Sequence, residues 1–307
     1  MARAYASTVI DAPVERVWSL LRDFNGLPSW NPAVARSRIE DGLAADVVGC
    51  VRSFHLRDGT HVRERLLTLD DAKRVLAYNF ETPAFPVGDY VATLSAIPVT
   101  SGDRCFVEWE AHFVEAAADA GKYEAVISKD VFATGLAALR DKAATAPTPP
   151  GARRWKGRRP AKVFCSSVIR GPAARVWPIL RDFAGMGAWH SDISRMHMLD
   201  GKRSDHVGAT RDFLFGEGRL HEELLHLCDR TMSFSYRINM SPLPWLEYVA
   251  GARIWPVTDA GATFAVWTAD WDASANDDVE LIPKVHNDVF QKAFDTIDAK
   301  YFAGGAR

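Results

Sequence analysis

Two oppositely charged side chains interrupt a row of residues that should face a hydrophobic interior. In GCVRSFHLRDGTHVRERLL, residues 49–67, the even positions Cys50, Phe54, Leu56, Val62 and Leu66 are apolar, while His55, His61, Arg63 and Arg65 occupy odd ones. A period of two belongs to a half-buried strand, so the even face is the inner one. Arg52 and Glu64 share that face, a costly placement unless each neutralises the other. If Arg57, Asp58 and Gly59 form a three-residue hairpin loop with glycine in the left-handed position, 56 pairs with 60, 54 with 62, and 52 with 64. The two charges are then opposed across the ladder, with Cβ atoms about 4.5–5.5 Å apart. In an apolar hollow such a carboxyl exchanges protons and such a guanidinium holds a developing anion. The alternative is a buried ion pair that fixes strand register.

The pattern occurs twice. In GATRDFLFGEGRLHEELL, residues 208–225, a loop of Gly216, Glu217 and Gly218 sets Arg211 against Glu223 by the same count. The likeness extends upstream: STVIDAPVERVWSLLRDFNGLPSW (7–30) returns as SSVIRGPAARVWPILRDFAGMGAW (166–189), identical at 13 of 24 positions with a constant offset of 159. A period this long indicates a duplicated globular domain rather than a solenoid, whose repeats run roughly 20–50 residues. The expected division is domain one at 1–146, a linker at 147–160 rich in proline and arginine, and domain two at 161–307.

These residues need elements to position them. In the first copy a strand over about 3–10 is followed by Pro13 and by Val14, Val17, Trp18 and Leu21 at helical spacing, then by a short turn through Phe24 and Leu27 to Trp30. Period-two segments follow at about 34–40, 47–57, 60–69, 74–82, 89–97 and 104–114, and a helix at about 121–144 closes the copy. The second copy follows suit and ends in a helix over about 278–302. The fold class is therefore α+β: two tandem units, each a curved antiparallel sheet of about seven strands wrapped on a long C-terminal helix, with two short helices after the first strand. Alternation turns Tyr90, Ala92, Leu94, Val107, Trp109 and Ala111 inward, and in the second copy Tyr248, Ala250, Ala252, Ala265, Trp267 and Ala269. Alanines between large aromatics leave space for a ligand, unless small simply packs against large. Tyr90, Trp109, Phe54 and Trp30 are the candidate ligand contacts of the first copy, and Tyr248, Trp267, Phe213 and His221 those of the second. Phe213, Phe215 and His221 are expected to narrow the second pocket, which makes that copy the candidate for a degenerate scaffold.

A net charge of −2 over 307 residues, with 25% charged residues, asks for no nucleic acid and no stable membrane insertion. The N-terminus shows no signal-like apolar run, and a cytoplasmic location is the default. Cys50, Cys105, Cys165 and Cys228 are scattered and the nine histidines form no ligand spacing, so neither disulfides, nor a metal, nor another cofactor is expected.

The openings VIDAPVERVWSLLRDFNGLPSW and VIRGPAARVWPILRDFAGMGAW, with the predicted element order, resemble the polyketide cyclase/dehydrase and lipid-transport superfamily (SRPBCC, START-like) of helix-grip proteins. GCVR followed by a hairpin and ExLL resembles its bacterial polyketide-cyclase-like branch and plant lachrymatory-factor synthase. That resemblance implies proton-transfer roles for Arg52 and Glu64, and more loosely for Arg211 and Glu223, since the second copy reads GATR. The doubled layout is also that of two-domain aromatase/cyclases. The expected function is binding of a small or medium apolar molecule with cofactor-free cyclisation, isomerisation or dehydration. The competing function is a non-catalytic carrier or sensor of lipids or other apolar ligands. Contact between the domains is expected within the chain, and a homodimer is left open.

Overall fold

The computed structural model describes residues 1–148 and 161–303. It divides into two compact units, Met1–Pro98 with Gly102–Gly157, and Val99–Ser101 with Arg158–Arg307. Most of the linker expected at 147–160 lies outside the described residues.

In the first module β1 (Ala2–Ile10) leads into a helix at Val14–Arg22 and a single turn at Leu27–Trp30. Six strands follow: β2 (Val34–Ile39), β3 (Val51–Leu56), β4 (His61–Asp70), β5 (Val75–Thr82), β6 (Gly88–Val99) and β7 (Arg104–Val114). They form one seven-stranded sheet in the order β1-β7-β6-β5-β4-β3-β2, in which every consecutive pair from β2 to β7 is adjacent, as short hairpin connections dictate. The first helix buries Val14, Val17, Trp18 and Leu21, the stripe given by its 3.6-residue period. It is tied down by Trp18 Nε1 donating to Asp71 Oδ1 at 2.8 Å, just past β4.

The second module repeats the layout. β8 (Val163–Ile169) precedes a helix at Ala173–Arg181 and a 3₁₀ turn at Gly185–Ala188. The turn replaces the second short helix expected there: the counterpart of LPSW (27–30) is MGAW (186–189), where Gly187 stands in place of Pro28, a residue preset for the first helical turn. Strands β9 (Ile193–Met198), β10 (Thr210–Phe215), β11 (Gly218–Cys228), β12 (Ser233–Met240), β13 (Leu246–Val257) and β14 (Ala262–Asp272) complete a sheet ordered β8-β14-β13-β12-β11-β10-β9. The Trp–Asp tie recurs as Trp177 Nε1 to Asp229 Oδ1, 2.8 Å.

The closing helix of each module is not uniform. In the first it runs as Lys122–Val126, a π-helical stretch Ile127–Ala133, then Thr134–Thr145. In the second it runs as Ala275–Lys284, a π-helical stretch Val285–Gln291, then Lys292–Phe302. The wider turn carries a ring that covers the inward tryptophan. Phe132 stacks on Trp109 with centroids 4.5 Å apart, and Phe290 on Trp267 at 5.0 Å. All twelve residues placed inward by alternation on β6, β7, β13 and β14 are buried.

No helix among the described residues is long and apolar enough to cross a membrane.

Candidate functional site

The first-module hairpin has the expected register. Arg52 faces Glu64 and Phe54 faces Val62, while Leu56 N–H donates to the Thr60 carbonyl around the Arg57-Asp58-Gly59 loop. Gly59 takes φ 93°, a conformation that would strain any residue with a Cβ. Arg52 Nε donates to Glu64 Oε2 at 2.6 Å and Nη2 approaches the same oxygen at 2.5 Å. Its Nη1 donates to the Phe24 carbonyl at 2.8 Å, which ties the pair to the loop after the first helix. The guanidinium lies over the rings of Phe24 (4.0 Å) and Tyr78 (5.0 Å), an arrangement that suits a delocalised cation away from water.

The second module departs from the expected register by one residue. Phe215 pairs with Gly218 and Arg211 with Glu222, so the loop is the two-residue Gly216-Glu217, with Gly216 at φ 60°. Glu222 is the counterpart of Glu64. A one-residue slip turns a side chain to the opposite face, and Glu223 accordingly points outward, where its Oε2 accepts from Arg237 Nη2 (2.8 Å) and Asn239 Nδ2 (3.0 Å). His221 is outward for the same reason, its Nε2 3.2 Å from Asp212 Oδ1, and it is not on the wall of the cavity that Glu222 lines. Arg211 Nε donates to Glu222 Oε2 at 2.7 Å, Nη2 also contacts that oxygen, and Nη1 donates to the Phe183 carbonyl at 2.8 Å.

Arg52, Glu64, Arg211 and Glu222 are each at most 4% exposed. Burial pushes the carboxyls of Glu64 and Glu222 above the ordinary value, against the opposing pull of the neighbouring guanidinium. A carboxyl held that way retains its proton into a higher pH range and is suited to give it up or take it back. Two tyrosines complete each polar centre. Trp109 Nε1 donates to Tyr78 Oη at 3.0 Å, and burial raises the pKa of Tyr78, Tyr90, Tyr236 and Tyr248 alike.

The modules differ in what occupies the space above this centre. In the second module a cavity of about 230 Å³ is lined by Phe213, Phe215, Glu222, Tyr236, Tyr248 and Trp267 among others. The copy whose pocket Phe213, Phe215 and His221 are expected to narrow thus holds a cavity, with Phe213 and Phe215 on its wall and His221 off it. Ile238 lines the cavity where the first module has Phe80, whose ring stacks on Tyr90 at 4.0 Å. Tyr248 instead lies against Trp245 (4.7 Å) and Trp271 (5.6 Å). In the first module Trp109 lies over Gly135, where an added Cβ would sit 2.9 Å from the ring, and Trp30 is 6.3 Å from Trp109. Tyr90, Trp109, Phe54 and Trp30 are thus gathered in one buried core on the face that carries Glu64 and Arg52.

Sequence reasoning missed Glu222, Tyr78, Tyr236 and His190. The first was available from aligning ERLL (64–67) with EELL (222–225), and the tyrosines from the period-two pattern of β5 and β12. His190 lines the cavity at 3% exposure and stands where the first copy has Asn31. Arg211 is not on the cavity wall; it lies behind Glu222, so its reach to a ligand is through that carboxylate.

Several known proteins resemble the chain. The abscisic acid receptor PYL7 of Arabidopsis thaliana is 30% identical over 92 residues, which are 29% of this chain and 42% of that relative. The chain therefore spans less than half the length of this curated relative. A solution structure of a Thermobifida fusca protein is 33% identical, with a TM-score of 0.43 over 47% of this chain and 94% of that one. The di-domain ARO/CYC BexL is 13% identical, with a TM-score of 0.40 over 97% of this chain and 98% of its own. Residues 1–144 and again 160–301 match the family described as polyketide cyclase / dehydrase and lipid transport, and the chain belongs to that family through both of its modules.

Proposed function

We propose that the protein binds a small apolar molecule in the second module and performs cofactor-free acid/base chemistry on it. One observation carries the reading: an apolar cavity of about 230 Å³ ends on Glu222, a buried carboxyl whose proton affinity burial has raised. Glu222 is the proton-exchanging group, the counterpart of Glu64 in the first module. Arg211 acts as a positioning residue, because its guanidinium is committed to Glu222 and to the Phe183 carbonyl. Tyr236, Tyr248 and Trp267 orient the ligand. Proton abstraction next to a carbonyl, followed by return at another atom, is common to isomerisation, cyclisation and dehydration, which fits the family's description.

A generic substrate tests this without knowledge of the natural one. 2-Acetylnaphthalene is incubated with the protein in D₂O and deuterium entry into its methyl group is followed by NMR. The wild type is expected to accelerate exchange, and Glu222→Gln to bind the ketone without accelerating it. An active Gln variant overturns the role of Glu222.

The second reading is a carrier. It is favoured by the firm hold of Arg211 on Glu222, which suits a fixed anchoring group. Native mass spectrometry of freshly purified protein distinguishes the two, since a persistent stoichiometric lipid favours carriage.

A further inference from the structure

The second chamber holds a polar group that acid/base chemistry at Glu222 does not use. His190 is 3% exposed, lines the same cavity as Glu222 and packs against Trp189 and Phe215. Its Nδ1 accepts the backbone N–H of Asp192 at 3.3 Å. In a neutral imidazole that assignment puts the proton on Nε2. Nε2 is buried and has no hydrogen-bond partner among the described residues. The Val289 carbonyl is close enough to favour a proton on the ring but lies outside hydrogen-bond geometry.

A buried N–H without an acceptor forfeits about 1–3 kcal/mol, so such groups are rare unless something else satisfies them. The nearby charges do not do so. Asp192 is engaged by Lys292 Nζ at 2.6 Å, Glu222 by Arg211, and Lys284 on the cavity wall is itself a donor. The ring is kept neutral because burial lowers its pKa, with the Lys292 charge acting in the same direction and Asp192 opposing. The apolar walls demand a largely apolar ligand, and the free N–H demands that the ligand carry an acceptor oxygen.

We propose that His190 Nε2 donates a hydrogen bond to a carbonyl oxygen of the ligand in the second chamber, making the substrate class apolar carbonyl compounds. The proposal rests on the chamber being a ligand site. His190 then selects the ligand and fixes which carbon faces Glu222, and polarisation of the carbonyl acidifies the adjacent C–H.

The test compares 2-acetylnaphthalene with 2-ethylnaphthalene, which has a similar shape but no acceptor, by quenching of tryptophan fluorescence. Wild type is expected to bind the ketone about fivefold to tenfold more tightly, the worth of one hydrogen bond. His190→Phe should erase that preference while keeping affinity for the hydrocarbon. His190→Asn, the residue of the first module, keeps a donor and should retain part of it if the Phe variant folds poorly. In the wild type the Nε2–H resonance of His190 should shift on adding ketone and not on adding hydrocarbon. Equal wild-type affinities, a preference that survives in His190→Phe, or an unmoved Nε2 resonance overturns the role of His190 and leaves the chamber standing. Failure of both probes to bind overturns the chamber reading as well.

Discussion

Replacing Arg52 with methionine should destabilise the first module in a way that depends on pH. The substitution keeps an apolar side chain of similar reach between Phe24 and Tyr78 but removes both contacts to Glu64 and the donor to the Phe24 carbonyl. The orphaned carbonyl costs about 1–3 kcal/mol at any pH. The charge cost has a ceiling, because Glu64 can escape by taking a proton. From the ordinary value of 4.5 to pH 7 that escape costs roughly 3.4 kcal/mol, at about 1.36 kcal/mol per pH unit. Burial already raises the folded-state pKa of Glu64 above its unfolded value, and loss of Arg52 removes the influence that opposes the rise. The folded module then binds the proton more tightly than the unfolded chain, so stability is retained below the ordinary carboxylate range and lost as pH climbs above about 4.5. Urea unfolding at pH 4.5 and pH 7, with pulsed amide exchange reporting on β3 to β5, should show the extra loss only at the higher pH. Arg52→Met combined with Glu64→Leu should return most of the stability, since apolar replacement of a buried pair is often near neutral. An equal loss at both pH values, or a larger one in acid, would refute this account of the pair.

Other outcomes follow from the same geometry. Ile238→Phe should place a ring against Tyr248 as Phe80 does against Tyr90, and abolish fluorescence-detected binding of 2-ethylnaphthalene. Glu223→Gln, on the outer face, should leave deuterium exchange into 2-acetylnaphthalene unchanged, whereas Glu222→Gln removes it. Tyr78→Phe should cost about 1–3 kcal/mol in urea unfolding by stranding Trp109 Nε1 without its acceptor. Gly171→Ala should destabilise the second module by at least that order, measured in the same way, because the new methyl would meet the Phe302 ring at 2.2 Å.

Strand positions were legible because one buried face forces a period of two, and the order of elements was legible because hairpins leave little freedom of connection. Register in the first module followed from one loop, Arg57-Asp58-Gly59. In the second module the same count failed for a reason visible in the chain. Residues 208–225 are one fewer than residues 49–67, and the offset between copies falls from 159 at Arg52/Arg211 to 158 at Tyr90/Tyr248. The missing residue lies in the hairpin, and ignoring it exchanged Glu222 for Glu223 and turned His221 inward. The cavity was beyond such reading. It depends on Ile238 in place of Phe80 and on which neighbours Tyr248 leans against, choices made jointly by several strands and a helix. His190 was hidden similarly, since nothing in its own segment shows that the turn after Trp189 abuts the chamber.

The duplication supplies an internal control on function. The Arg–Glu pair, its tie to a loop carbonyl and the Trp–Asp clamp on the first helix occur in both modules, including the one where Phe80 stands against Tyr90. Features common to both modules, whichever side chain stands against the inward tyrosine, are what the fold requires. The pair therefore has a structural duty in both: it joins the sheet to the first helix's loop and holds strand register. On the cavity wall of the second module Ile238, His190, Lys284, Ala293 and Trp245 stand where the first has Phe80, Asn31, Val126, Gly135 and Val87. Lys284 brings in a charged group, His190 puts an imidazole in place of the Asn31 amide, and Ile238 replaces a phenylalanine ring. The chemistry proposed for Glu222 consequently depends less on the pair itself than on the space that would let a ligand reach its carboxyl. Phe80→Ile is then expected to open space beside Tyr90 with Glu64 at its floor, and with the Asn31 amide in place of the imidazole that His190 provides in the second module.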